Sequence, residues 1–424
     1  MTDSASSAAA RMCLLVIEGG ADPSGGREAT PLQRAGTPAM DRLARDGHLH
    51  RVVLGAATCW DGFAGLLGAE PGSAPLGPAE AAALQSERGE YSEYGEPGDA
   101  TWVARADWVA RADFVTVDDS GVLDPLGGHV ADPEASALLE LVAGGVGGSR
   151  LARLRGHRNL WFSDREITAS PPAWQTGTRS PRTCLSPDAR LLEFYDAARA
   201  TLGKADINAV RVDLGENPAN ALWPHGGGSL PLRMTPPAWA VGRRVALVAA
   251  PGAAQGVARA LGWAAVAVDG DDDALCAAAL AALADHDVVV VRTRSVLEAG
   301  LRCAEVDAAA TDDDRDGVAG ARVDALAAVD ARLAGPLLGA LEERGPFVFA
   351  VASDGAVDLA EGRHSAEPLT CGTLHSDGLG SGGSAGAGLS AFHERACVES
   401  GHRVEGAAAF ADLLAHELDS VSGL

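Results

Sequence analysis

The chain has 424 residues, 47% of them hydrophobic, and a formal net charge of −24. That length and apolar content bury a large core, as two domains or as one large domain with an insert. The acidic surface sets nucleic acid and anionic membranes aside as partners, and the apolar runs fall short of the ~20 residues that span a bilayer. Seven cysteines, an odd number without short paired spacings, read as reduced thiols rather than a disulfide framework. Met1 to Arg11 has no charged-then-apolar leader layout, so the expected location is the cytoplasm. Lys204 is the only lysine, and with the Ala and Gly excess this reads as coding bias, which weakens the case for helix design in Ala-rich stretches.

In chain order, Met12 to Ile17 is a short apolar run closed by Glu18-Gly19-Gly20, a buried strand ending in a tight turn. Thr37-Pro38 opens a helix with Met40, Leu43 and Ala44 on one face. Residues 81–235 are richer in Trp, Pro and Arg, with short strand-like pieces at Phe114 to Val117 and Asn159 to Phe162. They are expected to form an inserted α+β cap, leaving 1–80 and 236–424 as a discontinuous core. Arg244 to Ala250 is a strand, followed by a helix over Ala253 to Leu261. Further strands are expected at Val266 to Val268, Asp287 to Val291 and Phe347 to Ala352, and helices at Ala274 to Leu283 and Val323 to Leu341. Asp312 to Asp316 reads as an exposed turn and Gly378 to Gly388 as a surface loop without the context of a phosphate loop. Strands alternating with helices predict an α/β core with a mostly parallel sheet flanked by helices. In such sheets the strand C-terminal ends carry the site, and Glu18, Arg292 to Leu297 and Asp354 all sit at such ends.

Gly25 to Gln33 with Thr37 to Ala44, Ala110 to Val117, His157-Arg158, Gly215 to Asn220 with Gly226 to Gly228, and Ser376-Asp377-Gly378 with Phe392 and Glu394 are segments that, in this order, resemble the cofactor-independent phosphoglycerate mutases, archaeal type, of the alkaline-phosphatase superfamily. Gly25 to Gln33 followed by Thr37 to Ala44 is similar to the family opening GGKTPLxxAxTPxMDxLA. Ala110 to Val117 resembles FRxNFVTV, His157-Arg158 an HR pair, and Gly215 to Gly228 the linker GxxPAN…GxG. Ser376-Asp377-Gly378, Phe392 and Glu394 resemble SDG…FxE. The resemblance implies an alkaline-phosphatase-like core with an inserted cap. It also implies a serine that carries the phosphoryl group while two divalent metals activate it.

The ligand positions carry over poorly. The family's first-strand aspartate aligns with Glu18, and its catalytic serine with Cys59 in Thr58 to Gly68. The Asp and His of its DEAGH motif become Leu297 and Leu301. The DH pair after the last core strand becomes Asp354-Gly355, and a final histidine persists as His364. A standard dimetal site is therefore not expected. The alternatives are no metal, or a single zinc or manganese held by residues such as Glu18, Asp354 and His364, with the Cys59 thiolate a further zinc donor. Cys59 is either a nucleophile in the serine's place or a small buried remnant. Glu18 is either a ligand or an acid/base, and Asp354 and His364 either ligands or loop braces. In the cap, Arg111, Asp113, His157 and Arg158 are the candidates for holding a substrate's phosphate and carboxylate, since guanidinium forks fit both groups.

The first reading is a divergent mutase-like isomerase or phosphoryl/acyl transferase. It would act on a small anionic metabolite in a specialised biosynthetic pathway. A catalytically dead pseudoenzyme used for ligand sensing or protein interaction is the second, and a true phosphoglycerate mutase the third. Family relatives occur as monomers and as larger assemblies, so a homo-oligomer stays open.

Overall fold

The computed structural model describes residues 10–23, 29–55, 58–70, 72–86, 106–119, 121–145, 150–170, 184–304, 312–358, 363–365, 367–376 and 389–422. Gly25 to Glu28 and the Gly/Ser tract from Asp377 to Gly388 lie outside them. The strands are β1 (Arg11–Ile17), β2 (His48–Val53), β3 (Trp108–Val117), β4 (Val122–Asp124), β5 (Arg150–Arg153), β6 (Asn159–Ser163), β7 (Ala221–Ser229), β8 (Val245–Ala249), β9 (Ala264–Ala267), β10 (Val288–Thr293), β11 (Phe347–Ser353), β12 (Ala356–Asp358), β13 (Arg363–Ser365), β14 (Leu369–His375) and β15 (Arg403–Glu405). The chain divides into two compact units: residues 1–74, 234–251 and 261–424 form the first, and residues 75–233 with 252–260 the second. The helix Ala253–Ala260 thus belongs with the second unit, where Gly256 packs against the Ala79 backbone so closely that a Cβ would overlap it.

The first unit is built on an eight-stranded sheet in the order β15-β2-β14-β11-β1-β10-β8-β9. The strands β1, β8, β9, β10 and β11 are parallel, and β14 runs antiparallel to both β11 and β2. The expected mostly parallel α/β sheet is what forms. Its central strands read MCLLVI, VVVV and FVFAVA because both faces are covered by helices, and every residue from Met12 to Val16 is fully buried. No helix among the described residues is long and apolar enough to cross a membrane.

The long helix read at Val323 to Leu341 is broken. An α-helix over Asp312–Val329 passes into a π turn at Asp330–Ala334, then into a helix over Gly335–Glu342. Pro336 at the second helical position lacks the N–H that would continue the ladder. The buried Asp330 uses the distortion to accept from the Ala39 and Met40 N–H groups at 3.1 and 2.7 Å. Asp312 to Asp316 is helical rather than a turn.

The C-terminal helix Ala407–Ser422 lays Glu417 on the β14–β2 region, where the Thr373 hydroxyl donates to it at 2.8 Å and His50 Nε2 lies 3.1 Å from the same hydroxyl. Burial pushes the Glu417 carboxyl up to about 7, against the pull of the Thr373 donor. Because the folded value exceeds the unfolded one, the folded state binds the extra proton, and stability falls as pH rises from 4.5 through 7. Replacing Glu417 by Gln keeps the acceptor and removes that loss. In urea titrations the variant is expected to gain on the parent with rising pH, by up to about 3 kcal/mol at pH 8. A constant difference across pH 4–8 would contradict it.

The second unit centres on the long strand β3, paired with β4, β6 and β7, with β5 beyond β6. All ten residues of β3 are buried. Its core is aromatic, with Trp161 stacked on Phe194 at 4.2 Å between ring centroids, and Trp108 edge-on to Trp161.

Candidate functional site

In the first unit, Glu18 follows β1 and Asp354 follows the adjacent parallel strand β11, so the sheet register brings the two carboxylates to the same C-terminal edge. Between them lies Arg292, which the sequence puts at a site-bearing strand end without giving it a role. Arg292, near the end of β10, donates from Nη2 to Asp354 Oδ2 at 2.9 Å, and the same nitrogen is 3.1 Å from Glu18 Oε1. Its Nε donates to Asp354 Oδ2 at 3.2 Å. The neighbouring Arg294 donates from Nε to the other oxygen of Glu18 at 3.0 Å. The backbone N–H of Gly19 takes up Asp354 Oδ1 at 3.0 Å. Arg292 also lies against the Phe63 ring, 4.6 Å from its centroid, a cation–π contact that covers the guanidinium from solvent. Burial works against the Arg292 charge, and Glu18 and Asp354 beside it more than restore it, holding the guanidinium above its ordinary value. Burial pushes the Asp354 carboxyl upward, against the pull of Arg292.

Cys59 is the first residue of the helix Cys59–Leu66, capped by Thr58, whose hydroxyl oxygen accepts from the Asp61 N–H at 2.9 Å. The side chain is 2% exposed. Burial pushes the thiol well above its ordinary value, with Asp354 and Glu18 adding to the push and Arg292 opposing. The helix lies tight on the turn after β11. A Cβ on Gly62 would overlap the Asp354 carbonyl, and one on Gly355 would come within 2.7 Å of Cys59 Sγ. A side chain at 355, where the resemblance implies a histidine, would require Cys59 Sγ to shift.

Leu297 packs with Cys59, Val318 and Val357 in a small buried apolar cluster, where the resemblance would put an aspartate. Leu301 lies on the same helix, Ser295–Ala304. His364 is on β13 opposite Val357. The loop after β1 is fixed from behind by the fully buried Arg322, which donates to Asp22 Oδ1 at 2.6 Å and to the Gly19 carbonyl at 2.7 Å.

The family implies two divalent metals, and this donor set does not fit them as arranged. Both oxygens of Asp354 accept from Gly19 and Arg292, both oxygens of Glu18 face arginines, and a leucine side chain stands where a ligand is implied. Among the described residues, no group of three or more His, Cys, Asp or Glu side chains is arranged to hold a metal ion.

In the second unit, Arg111 and Asp113 point the same way from β3, two residues apart, and form a bidentate pair at 2.8 and 2.7 Å. Arg111 Nη1 also donates to Glu80 at 3.2 Å, and His225 Nε2 lies 3.0 Å from Asp113 Oδ2. All four side chains are buried. Burial alone would raise the Asp113 carboxyl, but Arg111 and His225 hold it well below the usual carboxylate range. Burial brings the His157 imidazole down to about 4, against the pull of Asp113, with Arg111 and Arg158 also lowering it. Arg158 closes the turn between β5 and β6, its carbonyl accepting from the Leu154 N–H at 3.1 Å and from Arg153 Nη1 at 2.9 Å. Glu80 and His225 escaped sequence reasoning. His225 lies directly across the β3–β7 ladder from Arg111, a pairing that no motif in the sequence marks.

No protein-family model matches the chain. Curated 2,3-bisphosphoglycerate-independent phosphoglycerate mutases do match it. That of Methanothrix thermoacetophila is 27% identical over 341 residues, covering 76% of this chain and 78% of that one. That of Methanosarcina barkeri is 25% identical over 387 residues, covering 84% and 87%. The chain is similar to these phosphoglycerate mutases along most of its length. The solved structures agree on the fold. A protein of Pyrococcus horikoshii superposes with a TM-score of 0.63 at 18% identity, over 97% of this chain and 98% of that one. The cofactor-independent phosphoglycerate mutase of Thermoplasma acidophilum gives 0.50 at 19%, over 96% and 99%. The fold shared with these structures covers both units of this chain.

Proposed function

We propose that this phosphoglycerate-mutase-like chain has given up two-metal phosphoryl transfer and serves as a non-catalytic binder of a small phosphorylated or carboxylated metabolite. The observation that carries the reading is the Arg292 guanidinium between Glu18 and Asp354. Phosphoryl transfer of the family's kind needs cations that polarise the phosphoryl oxygens and activate the nucleophile. A guanidinium engaged by two carboxylates supplies neither an open coordination position nor an acidified hydroxyl. The ligand class is carried over from the relatives' name, a phosphorylated hydroxy acid, and from Arg158, which resembles the arginine of their HR pair.

Cys59 does not favour the nucleophile reading. Reactive thiols are thiolates in partly exposed, electropositive surroundings. This one is buried beside two carboxylates, which favour the neutral thiol. Alkylation of the native protein with iodoacetamide, read by peptide mass, is expected to leave Cys59 unmodified at times when the partly exposed Cys184 has reacted. Preferential labelling of Cys59 would revive the nucleophile.

The direct test is an assay of 2- and 3-phosphoglycerate interconversion with added manganese, alongside thermal-shift titrations with each compound in chelator-treated buffer. No turnover and no phosphoenzyme by intact mass, together with a saturable shift, is the expected result. Turnover that a chelator abolishes and Asp354→Asn removes would overturn the proposal, as would the lack of any shift with phosphorylated or carboxylated metabolites.

A further inference from the structure

Four histidines meet at the β15 margin of the large sheet. His48 and His50 leave the same face of β2, two residues apart, with ring centroids separated by 6.2 Å. His375, at the end of β14, lies parallel to His48 at 6.2 Å. His402, which leads into β15, closes the group at 5.9 Å from His48 and 5.8 Å from His50. His50 is buried, and its Nε2 meets the Thr373 hydroxyl, which donates to Glu417. Among the described residues no such group is arranged to hold a metal ion, and what four close imidazoles share is the ability to take a proton.

We infer that these imidazoles form an acid-released latch: uncharged, they pack together and hold the strap His402 to Gly406 on β2, and protonated, they repel one another and free it. The strap is the part with least to hold it. β15 is the edge of the sheet, covers only Arg403–Glu405, and pairs with β2. Two further backbone bonds bracket it, from the Arg51 N–H to the His402 carbonyl at 2.8 Å and from the Gly406 N–H to the Val53 carbonyl at 2.9 Å. On its other side β2 is paired with β14 from Leu369 to Thr373, and the helix after the strap buries Phe410, Leu414 and Leu418. Those two elements stay in place while the strap lifts.

The charged neighbours give the imidazoles little to pair with. Asp46 and Glu342, which line a groove of about 480 Å³ that reaches His375, are both matched by Arg42. Glu405 is matched by Arg403, and Glu399 by Arg395. Arg51 leaves β2 on the face opposite to His48 and His50. Cys371, on β14, is a buried thiol that burial holds neutral. Glu417 is the carboxylate that meets the cluster, with Oε1 3.8 Å from His50 Nε2. Burial pushes it up to about 7, so it is already losing its charge where the imidazoles begin to gain theirs. Burial brings His50 down to about 3, with His402 and His48 adding to the fall, and His48 is lowered by burial and then by His402 and His375. Folded values below the ordinary 6.5 mean that the closed latch binds fewer protons than the open one, so closure weakens as pH falls below 6.5. The Glu417 carboxyl slopes the other way, so the strap itself reports the latch, and whole-chain stability does not.

The test is hydrogen–deuterium exchange of the full chain, read by peptide mass at pH 7.5 and at about pH 5, with the intrinsic effect of pH on exchange divided out. Peptides over 48–53 and 400–406 are expected to lose protection by roughly tenfold or more at the lower pH, since each unit below 6.5 favours the proton-binding open form by about tenfold for one released imidazole. Peptides over β1 and β10 are expected to keep theirs. His48→Gln/His402→Gln is expected to stay closed at both pH values. His402→Gln alone, at a half-buried position, disturbs the packing less and is expected to remove at least half of the acid effect. Glu417→Gln is expected to retain it. Unchanged protection of the parent between the two pH values would overturn the inference, as would the same acid loss in a folded His48→Gln/His402→Gln or His402→Gln. An acid loss that Glu417→Gln abolishes would overturn it too, by assigning the release to that carboxyl.

Discussion

Arg292→Ala is expected to lower the unfolding free energy by about 3–5 kcal/mol in metal-free buffer, the usual cost of stranding one partner of a buried pair. Asp354 has no solvent-exposed side-chain surface and would keep the Gly19 N–H but lose its guanidinium, whereas Glu18 would keep Arg294. The penalty therefore falls on Asp354, and it is a penalty of charge. Without the guanidinium the carboxyl moves further up, so the folded variant binds a proton that the unfolded chain does not. A group whose folded value is raised loses its contribution as pH rises. The deficit should accordingly be small near pH 4 and full at pH 8, in urea titrations at both pH values. Arg292→Met/Asp354→Asn, which removes both charges and keeps an acceptor for Gly19, should recover more than half of the loss at pH 8. A deficit independent of pH, or no recovery in the double variant, would mean that the pair does not carry the stability assigned to it.

Arg111→Ala is expected to cost the second unit a similar about 3–5 kcal/mol. Asp113 and Glu80 are both buried and both accept from Arg111. Asp113 would be left with His225. Arg111→Lys should recover only part of this, because an ammonium cannot meet Asp113 through two parallel bonds while reaching Glu80. Fluorescence of Trp108, Trp161 and Trp223, all in the core of this unit, reports its unfolding. If Arg111→Ala unfolds like the parent and instead weakens binding of a phosphorylated ligand, the residue grips ligand rather than bracing the strand.

The α/β frame was legible because its strands are continuous apolar runs with Gly- and Asp-marked ends. β1, β8, β10 and β11 fall close to where Met12 to Ile17, Arg244 to Ala250, Asp287 to Val291 and Phe347 to Ala352 suggested. The break at Asp330 was not legible, since the apolar period persists through it and only Pro336 hinted at an interruption. Glu18, Cys59 and Asp354 could be found from motif positions alone, and they do come together. Arg292 could be placed at the same edge, as the start of Arg292 to Leu297, but not given its role: it reads as the polar end of DVVVVR, and its partners lie 274 and 62 residues away in the chain. In the second unit Arg111 read as a grip on anions from the resemblance and from the fit of a guanidinium fork to phosphate and carboxylate; no motif paired it with Asp113, two residues on, or with Glu80, 31 residues back.

The account stands on a guanidinium occupying the place of a cation. Crystals of the native chain grown with millimolar manganese, with diffraction collected at the manganese edge, examine that place directly. The account predicts no anomalous peak between Glu18 and Asp354, with Arg292 Nη2 bridging both carboxylates. A manganese peak there, with Arg292 turned away, would contradict it.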